Sequence, residues 1–254
     1  MAFVWIYALG SVFLVSALSL VGALSFKLRA NVLKRLVFVL VGLSVGALFG
    51  DVFIHLLPEL FDGSSNVLYS SLTVLLGIAL FFILEKFLRW RHSHEVHAHT
   101  GPDCPEPSSP LSTIVLVGDG VHNLIDGLII GASYLVSIPV GLATTLAVAL
   151  HEIPQEIGDF GVLLHAGLSR ARALLYNFLS GLASVAGVGV VLVFGTNVSV
   201  TSALLSFTVG GFIYIAGSDL VPELHKTNGV RASLVQFVAI GAGVGLMLLL
   251  LLLE

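Results

Sequence analysis

Charge is what this sequence has least of. Of its 254 residues, 11 are Lys or Arg and 15 are Asp or Glu, 10% in all, against roughly 25% in a water-soluble domain. A chain so poor in charge is not built to face water, and it carries no basic surface for nucleic acid. Cysteine is nearly absent as well. Cys104 stands alone, which excludes an internal disulfide and a thiolate metal cluster. The opening run, "MAFVWIYALGSVFLVSALSLVGALSF", lacks the basic flank of a signal peptide and its apolar core is too long for one, so it counts as a membrane span.

What is there instead is hydrocarbon. The chain is 57% hydrophobic with a mean hydropathy of +1.05, and apolar runs of about 20 residues recur along it, the signature of transmembrane helices. The pattern predicts an all-α integral membrane protein with eight transmembrane helices, at about 2–25, 36–60, 67–88, 111–135, 139–166, 171–194, 200–224 and 232–253. These form a single transmembrane domain over 1–254. The stretch 89–110, "RWRHSHEVHAHTGPDCPEPSSP", is polar and rich in histidine and proline, and reads as a flexible loop.

The few cations sort by side. Lys27, Arg29, Lys34 and Arg35 fall between spans 1 and 2, and Lys86, Arg89 and Arg91 between spans 3 and 4. Arg170 and Arg172 separate spans 5 and 6, and Lys226 and Arg231 separate spans 7 and 8. With eight spans, all eleven lie on one side, which the positive-inside rule makes the cytoplasm. Both termini are then outside and the histidine loop is cytoplasmic. Span 2 ends "HLLPEL" and span 7 ends "DLVPEL". The two helices run in opposite directions, so the echo predicts a 3+2+3 inverted-repeat bundle, spans 1–3 against 6–8 with 4 and 5 between.

Polarity is concentrated in spans 4 and 5. In "ALHEIPQEIGDF" (149–160), at about 100° per residue, His151, Gln155, Asp159, Glu152 and Glu156 form one continuous stripe. In "VGDGVHNLIDGLIIGASY", Asp119, His122, Asn123 and Asp126 form another. A charge at bilayer depth costs at least ~2.5–3.5 kcal/mol, and no Lys or Arg lies in either span to neutralise these carboxylates. A cation or protons must do so. Imidazole nitrogen with carboxylate and amide oxygen is the ligand set of Zn²⁺ and its first-row neighbours, and His122/Asp126 and His151/Gln155 are i,i+4 pairs on one face.

Pro154 is expected to bend its helix and free the Leu150 carbonyl inside the stripe, with Pro58 and Pro222 acting similarly near the ends of spans 2 and 7. Asp51, His55 and Glu59 on span 2 belong either to a metal path or to helix-end capping. Asp219 and Glu223 on span 7 stand equally between these roles. His92, His94, His97 and His99 either bind metal weakly or serve as solvated linker. Gly118, Gly120, Gly127 and Gly131 read as close-packing positions.

"GDVFIHLLPEL", "GDGVHNLIDGLIIGASY" and "HEIPQEIGDFGVLLHAGLS" together resemble the ZIP (Zrt/Irt-like) family of divalent-metal transporters, most closely the branch whose fifth helix reads HEIPHE followed by GD. The resemblance implies a transport site between helices 4 and 5, with His122, Asn123 and Asp126 from one and His151, Glu152 and Gln155 from the other. It implies that His55 can complete a metal's shell. Asp51, Asp119, Glu156, Asp159, Asp219 and Glu223 are candidates for the pathway. Two departures stand out: Gln155 replaces the second histidine, and Ser184 sits where many prokaryotic members carry a glutamate completing a second site.

The expected activity is movement of a divalent metal into the cytoplasm, zinc first, with iron, manganese or cadmium as alternatives. Its partners are metal ions and the lipid bilayer, with a homodimer as a candidate assembly and no nucleic acid. Lack of a large outside domain and of targeting segments suggests a prokaryotic cell membrane. A metal sensor or receptor without transport is a further class. The competing enzyme reading is an intramembrane metalloprotease using H-E-x-x-Q with Glu152 as base. Gln155, the interrupting Pro154 and the lack of an evident third ligand weigh against it.

Overall fold

Apolar runs that must satisfy their backbone groups without water have one local solution, the helix, and these runs take it. A computed structural model describes residues 2–26, 28–61, 66–96, 110–194, 198–227 and 229–253. These are helical nearly throughout, with no strand among the described residues. Segment α1 is Ala2–Leu18 with a 3₁₀ tail, Ser19–Phe26; α2 is Ala30–Gly50, continued through a π-turn, Asp51–Leu56, into Leu57–Phe61. Then come α3 (Val67–Val96), α4 (Pro110–Val136) and α5 (Ile138–His165). Segment α6 is Arg170–Gly181 followed by Ala183–Phe194. Segment α7 is Val198–Tyr214, a π-turn at Ile215–Leu220, then Val221–His225; α8 is Val230–Leu250.

Six of these are long and apolar enough to cross a membrane by length and composition. The 28-residue α5 is long enough, but its polar stripe lowers its hydropathy. In α3 the apolar portion is Val67–Ile83. Large apolar side chains face outward on most segments, such as Phe194, Phe237 and Leu252 at 69%, 72% and 80% exposure. That surface suits an integral membrane protein of the all-α class.

One expectation is corrected here. The polar stretch after residue 88 begins as helix, not loop: α3 runs on to Val96, so His92 and His94 sit on its last turns. Nothing in 89–96 is a helix breaker, and the prolines begin only at Pro102. His97 and His99 lie outside the described residues.

The two echoing motifs share a backbone irregularity. Each proline, Pro58 and Pro222, stands two residues after a six-residue π-turn, and in each the following N–H reaches back five residues, Leu57 to the Val52 carbonyl and Val221 to the Ala216 carbonyl. Helix pairing follows the same plan. The α2–α8 contact has its counterpart in α3–α7, and α4–α6 in α1–α5. Packing is close enough that side chains on certain glycines would collide with backbone. A Cβ on Gly46 would overlap the Ile240 carbonyl and one on Gly243 the Leu43 carbonyl; Gly127 and Gly187 stand likewise against the Ser184 and Leu124 carbonyls. Small-residue contacts of this kind let helices approach without a hydrophobic driving force.

Gly127→Val therefore forces α4 away from α6 and costs about 1–3 kcal/mol or more, read as a lowered thermal midpoint in detergent. Gly245→Ala, whose Cβ enters open space, leaves the midpoint unchanged.

Candidate metal site between the polar helices

The polar stripes face each other because α4 and α5 form a tight antiparallel hairpin. Ser137 breaks the helix and caps α5, its hydroxyl accepting from the Val140 N–H at 3.2 Å. Across the hairpin the two histidines meet edge to face, ring centroids 5.5 Å apart, with Nε2 atoms separated by 3.3 Å. His151 Nδ1 lies 3.3 Å from the Ala147 carbonyl. A carbonyl only accepts, so Nδ1 is the donor here and Nε2 is the atom turned to the cluster, the orientation of a metal-ligating histidine.

Two carboxylates complete the cluster. Asp126 Oδ2 is 3.3 Å from His151 Nε2 and 3.7 Å from His122 Nε2, and Glu152 Oε1 is 3.5 and 3.4 Å from the same atoms. One donor atom from each of His122, Asp126, His151 and Glu152 lies within 4.8 Å of all the others. Only His122 is partly open, its side chain 19% exposed. Neither oxygen of Asp126 or Glu152 has a hydrogen-bond donor. Facing nitrogens and undonated carboxylates around one point fit a divalent cation with nitrogen and oxygen ligands.

A second group lies beside the first. Asp119, Glu152 and Glu156 also bring one oxygen each within 4.8 Å of the others. Here sequence reasoning missed two residues, both on α6. Ser180 donates to Asp119 Oδ2, and the Asn177 amide donates to Glu156 Oε2. A serine and an asparagine in an ordinary amphipathic turn carry no signal until α6 is known to pack on α4. The remaining amide, Asn123, gives its Nδ2 to Asp119 Oδ1 at 2.9 Å, and its own Oδ1 is buried without a donor.

The other candidates divide. A cavity of roughly 580 Å³ reaches from His122 past Asp119, Gln155 and Asp159 to Asp219 and Glu223. Glu223 also pairs with Lys226 at the exposed end of α7. His55 joins neither cluster; its Nδ1 is 3.4 Å from Asp51 Oδ1, and Asp51 Oδ2 accepts from the Thr144 hydroxyl at 2.9 Å. Ser184 faces α1, its hydroxyl 3.0 Å from that of Ser16 and donating to the Gly181 carbonyl. Pro154 does release the Leu150 carbonyl, but the oxygen turns to α2, where it shares the Ser44 hydroxyl with the Leu40 carbonyl, each at 2.7 Å.

The sequence model of the ZIP zinc transporters matches residues 2–113 and 105–251. The chain belongs to the ZIP family. It is 31% identical over 276 residues to the zinc transporter ZIP13 homolog of Drosophila melanogaster, covering 84% of this chain and 77% of that one. Identity to the zinc transporter ZIP4 of Mus musculus is 31% over 253 residues, 74% of this chain and 38% of ZIP4. To the zinc transporter foi of D. melanogaster it is 40% over 153 residues, 59% of this chain and 21% of foi. The chain thus spans about a fifth of foi and two-fifths of ZIP4. ZIP proteins are transporters rather than enzymes, so the protease reading finds no support. All three relatives are animal proteins and give the expectation of a prokaryotic membrane no support either.

Ser44→Ala leaves the Leu150 carbonyl without its donor and is expected to cost about 1–3 kcal/mol. In a Pro154→Ala background the restored N–H takes that carbonyl, so the Ser44 effect shrinks. A double-mutant cycle of thermal midpoints reads the difference.

Proposed function

We propose that this ZIP-family chain carries a divalent metal ion, zinc foremost, from outside to cytoplasm, through a site formed by His122, Asp126, His151 and Glu152. The observation that carries the reading is the pair of imidazole Nε2 atoms facing at 3.3 Å beside two buried, undonated carboxylates, with no Lys or Arg anywhere in 110–169. Two ring nitrogens and two carboxylates converging on one point are the donor set of a divalent cation.

The cavity supports access to the site from the cytoplasmic side. Its walls run toward the N-terminal end of α4 and the C-terminal ends of α5 and α7, the ends flanked by Arg170, Arg172, Lys226 and Arg231 and hence cytoplasmic by the positive-inside rule. On the opposite side Ile129, Ile130, Ala143 and Ala147 are fully buried and shut the site off. This is an inward-facing arrangement, and rocking of helices about the site would open the other side. An inside-negative potential favours entry of a divalent cation by roughly 4–5 kcal/mol per 100 mV.

The helix directions support eight alternating spans. Contacts between α2 and α8 advance together along both chains, Gly42 with Ala239 and Gly50 with Met247. Those between α2 and α5 run oppositely, Ser44 with Leu150 and Asp51 with Thr144. The shared π-turns and matched helix pairings support the inverted repeat. Gln155, which lines the same cavity as His122, offers an amide oxygen where a histidine would bind soft metal more tightly.

In proteoliposomes, His122→Ala with His151→Ala is expected to reduce zinc uptake to background; uptake that survives would sink the reading. Gln155→His is expected to raise the preference for Zn²⁺ over Mn²⁺ in competition uptake, and an unchanged ratio would remove Gln155 from selectivity.

A further inference from the structure

The two histidines of the site are not held alike. His122 has a side chain 19% exposed and lines the cavity, whereas the His151 side chain is 1% exposed and takes no part in the cavity walls. The only bond on His151 Nδ1 runs to the Ala147 carbonyl at 3.3 Å, longer than the usual distance of about 2.9–3.0 Å. The torsion that turns an imidazole about its own axis is broad by nature. One long bond does not set the plane of this ring.

A second restraint comes from α7. Phe212 stands against His151 edge to face, with ring centroids 6.3 Å apart and planes at 73°. The quadrupoles of two aromatic rings favour that geometry over a face-to-face one. Phe212 is itself fully buried, in the same apolar cluster as Ala147, Val148 and Ile215. Its side chain carries no polar atom, so it constrains the imidazole without competing for Nε2. Nor does it stand in the ion's way out. On α7 the cavity walls begin at Tyr214 and continue through Asp219 to Glu223, and Phe212 lies outward of them.

We propose that Phe212 is a positioning residue for metal selection. By fixing the ring plane of His151 it keeps Nε2 aimed at the point where Asp126 and Glu152 converge, and so sets the preference for ions that favour nitrogen. The inference rests on the carrier reading, whose histidine site it refines. His151 is then the fixed nitrogen and His122 the movable one at the cavity's edge. Without the Phe212 ring, His151 turns more freely and the site keeps two carboxylates with one dependable nitrogen. That change penalises Zn²⁺, which gains most from imidazole, more than Mn²⁺, which carboxylate and water satisfy.

The test uses the purified full chain with Phe212→Leu, which stays apolar and removes the flat ring. Co²⁺ bound in place of Zn²⁺ reports the arrangement of its ligands through its visible absorption. Phe212→Leu is expected to shift those bands and to weaken Zn²⁺ binding in equilibrium dialysis about 10-fold. In proteoliposomes it lowers the Zn²⁺-to-Mn²⁺ uptake ratio by a similar factor. Leu205→Ala truncates another buried side chain, about two turns outward on the same helix. It lowers the thermal midpoint and leaves both the bands and the ratio as in the unaltered chain. Should Phe212→Leu not fold, Phe212→Met, whose unbranched side chain adapts to irregular space, is held to the same expectations. Bands and ratio that survive loss of the ring, or that move equally in Leu205→Ala, overturn the positioning role and leave the carrier standing. An unaltered chain that binds neither Co²⁺ nor Zn²⁺ overturns both.

Discussion

Buried negative charge with no fixed positive partner is the constraint that orders this molecule. Between residues 110 and 169 there is no Lys or Arg, yet Asp119, Asp126, Glu152 and Glu156 are all under 5% exposed. A stable protein would meet such charges with a salt bridge or replace them with apolar side chains, since buried ions seldom stabilise a fold. This chain instead surrounds them with amides and hydroxyls that orient without neutralising, and with the two imidazoles of His122 and His151. The glycine contacts between α4 and α6 serve the same end. Only helices this close can bring Ser180 and Asn177 against carboxylates that belong to α4 and α5.

Much of this was legible in sequence, because a helix periodicity shows which residues share a face. The stripes on α4 and α5 are adjacent, the loop between them is a single serine, and so their meeting follows almost from local structure. His122, Asp126, His151 and Glu152 come together as that geometry requires. What escaped were relations between distant segments. Ser180, Asn177 and Ser44 are unremarkable serines and amides until the tertiary packing gives each a partner. His55 carries the polar signature of a site residue, yet the structure turns it toward Asp51 on its own helix. The extension of α3 to Val96 was hidden by composition: histidine and arginine suggest a solvated loop, but neither residue ends a helix.

The repeated π-turns show how a short echo in sequence can stand for a larger likeness in shape. The two six-residue stretches share four residues, yet Asp51 and His55 on one side correspond to Ile215 and Asp219 on the other. The backbone is nonetheless alike, with the same five-residue reach just ahead of each proline. A π-turn admits one extra residue into the helix and re-aims everything beyond it. The polar content of the two turns has diverged while their geometry agrees, so the backbone irregularity is the shared element and the side chains are its local use.

The bond from Ser44 to the Leu150 carbonyl has a mechanical meaning. Leu150 precedes His151 directly, so a hydroxyl on α2 grips the peptide unit that carries a central imidazole. Pro154 makes that grip available by surrendering the carbonyl's usual partner. Sliding of α2, together with the α8 packed along it, therefore bears on the backbone at His151 as well as on the Thr144 side chain that Asp51 holds. The posture of His151 becomes a gauge of where the outer helices stand.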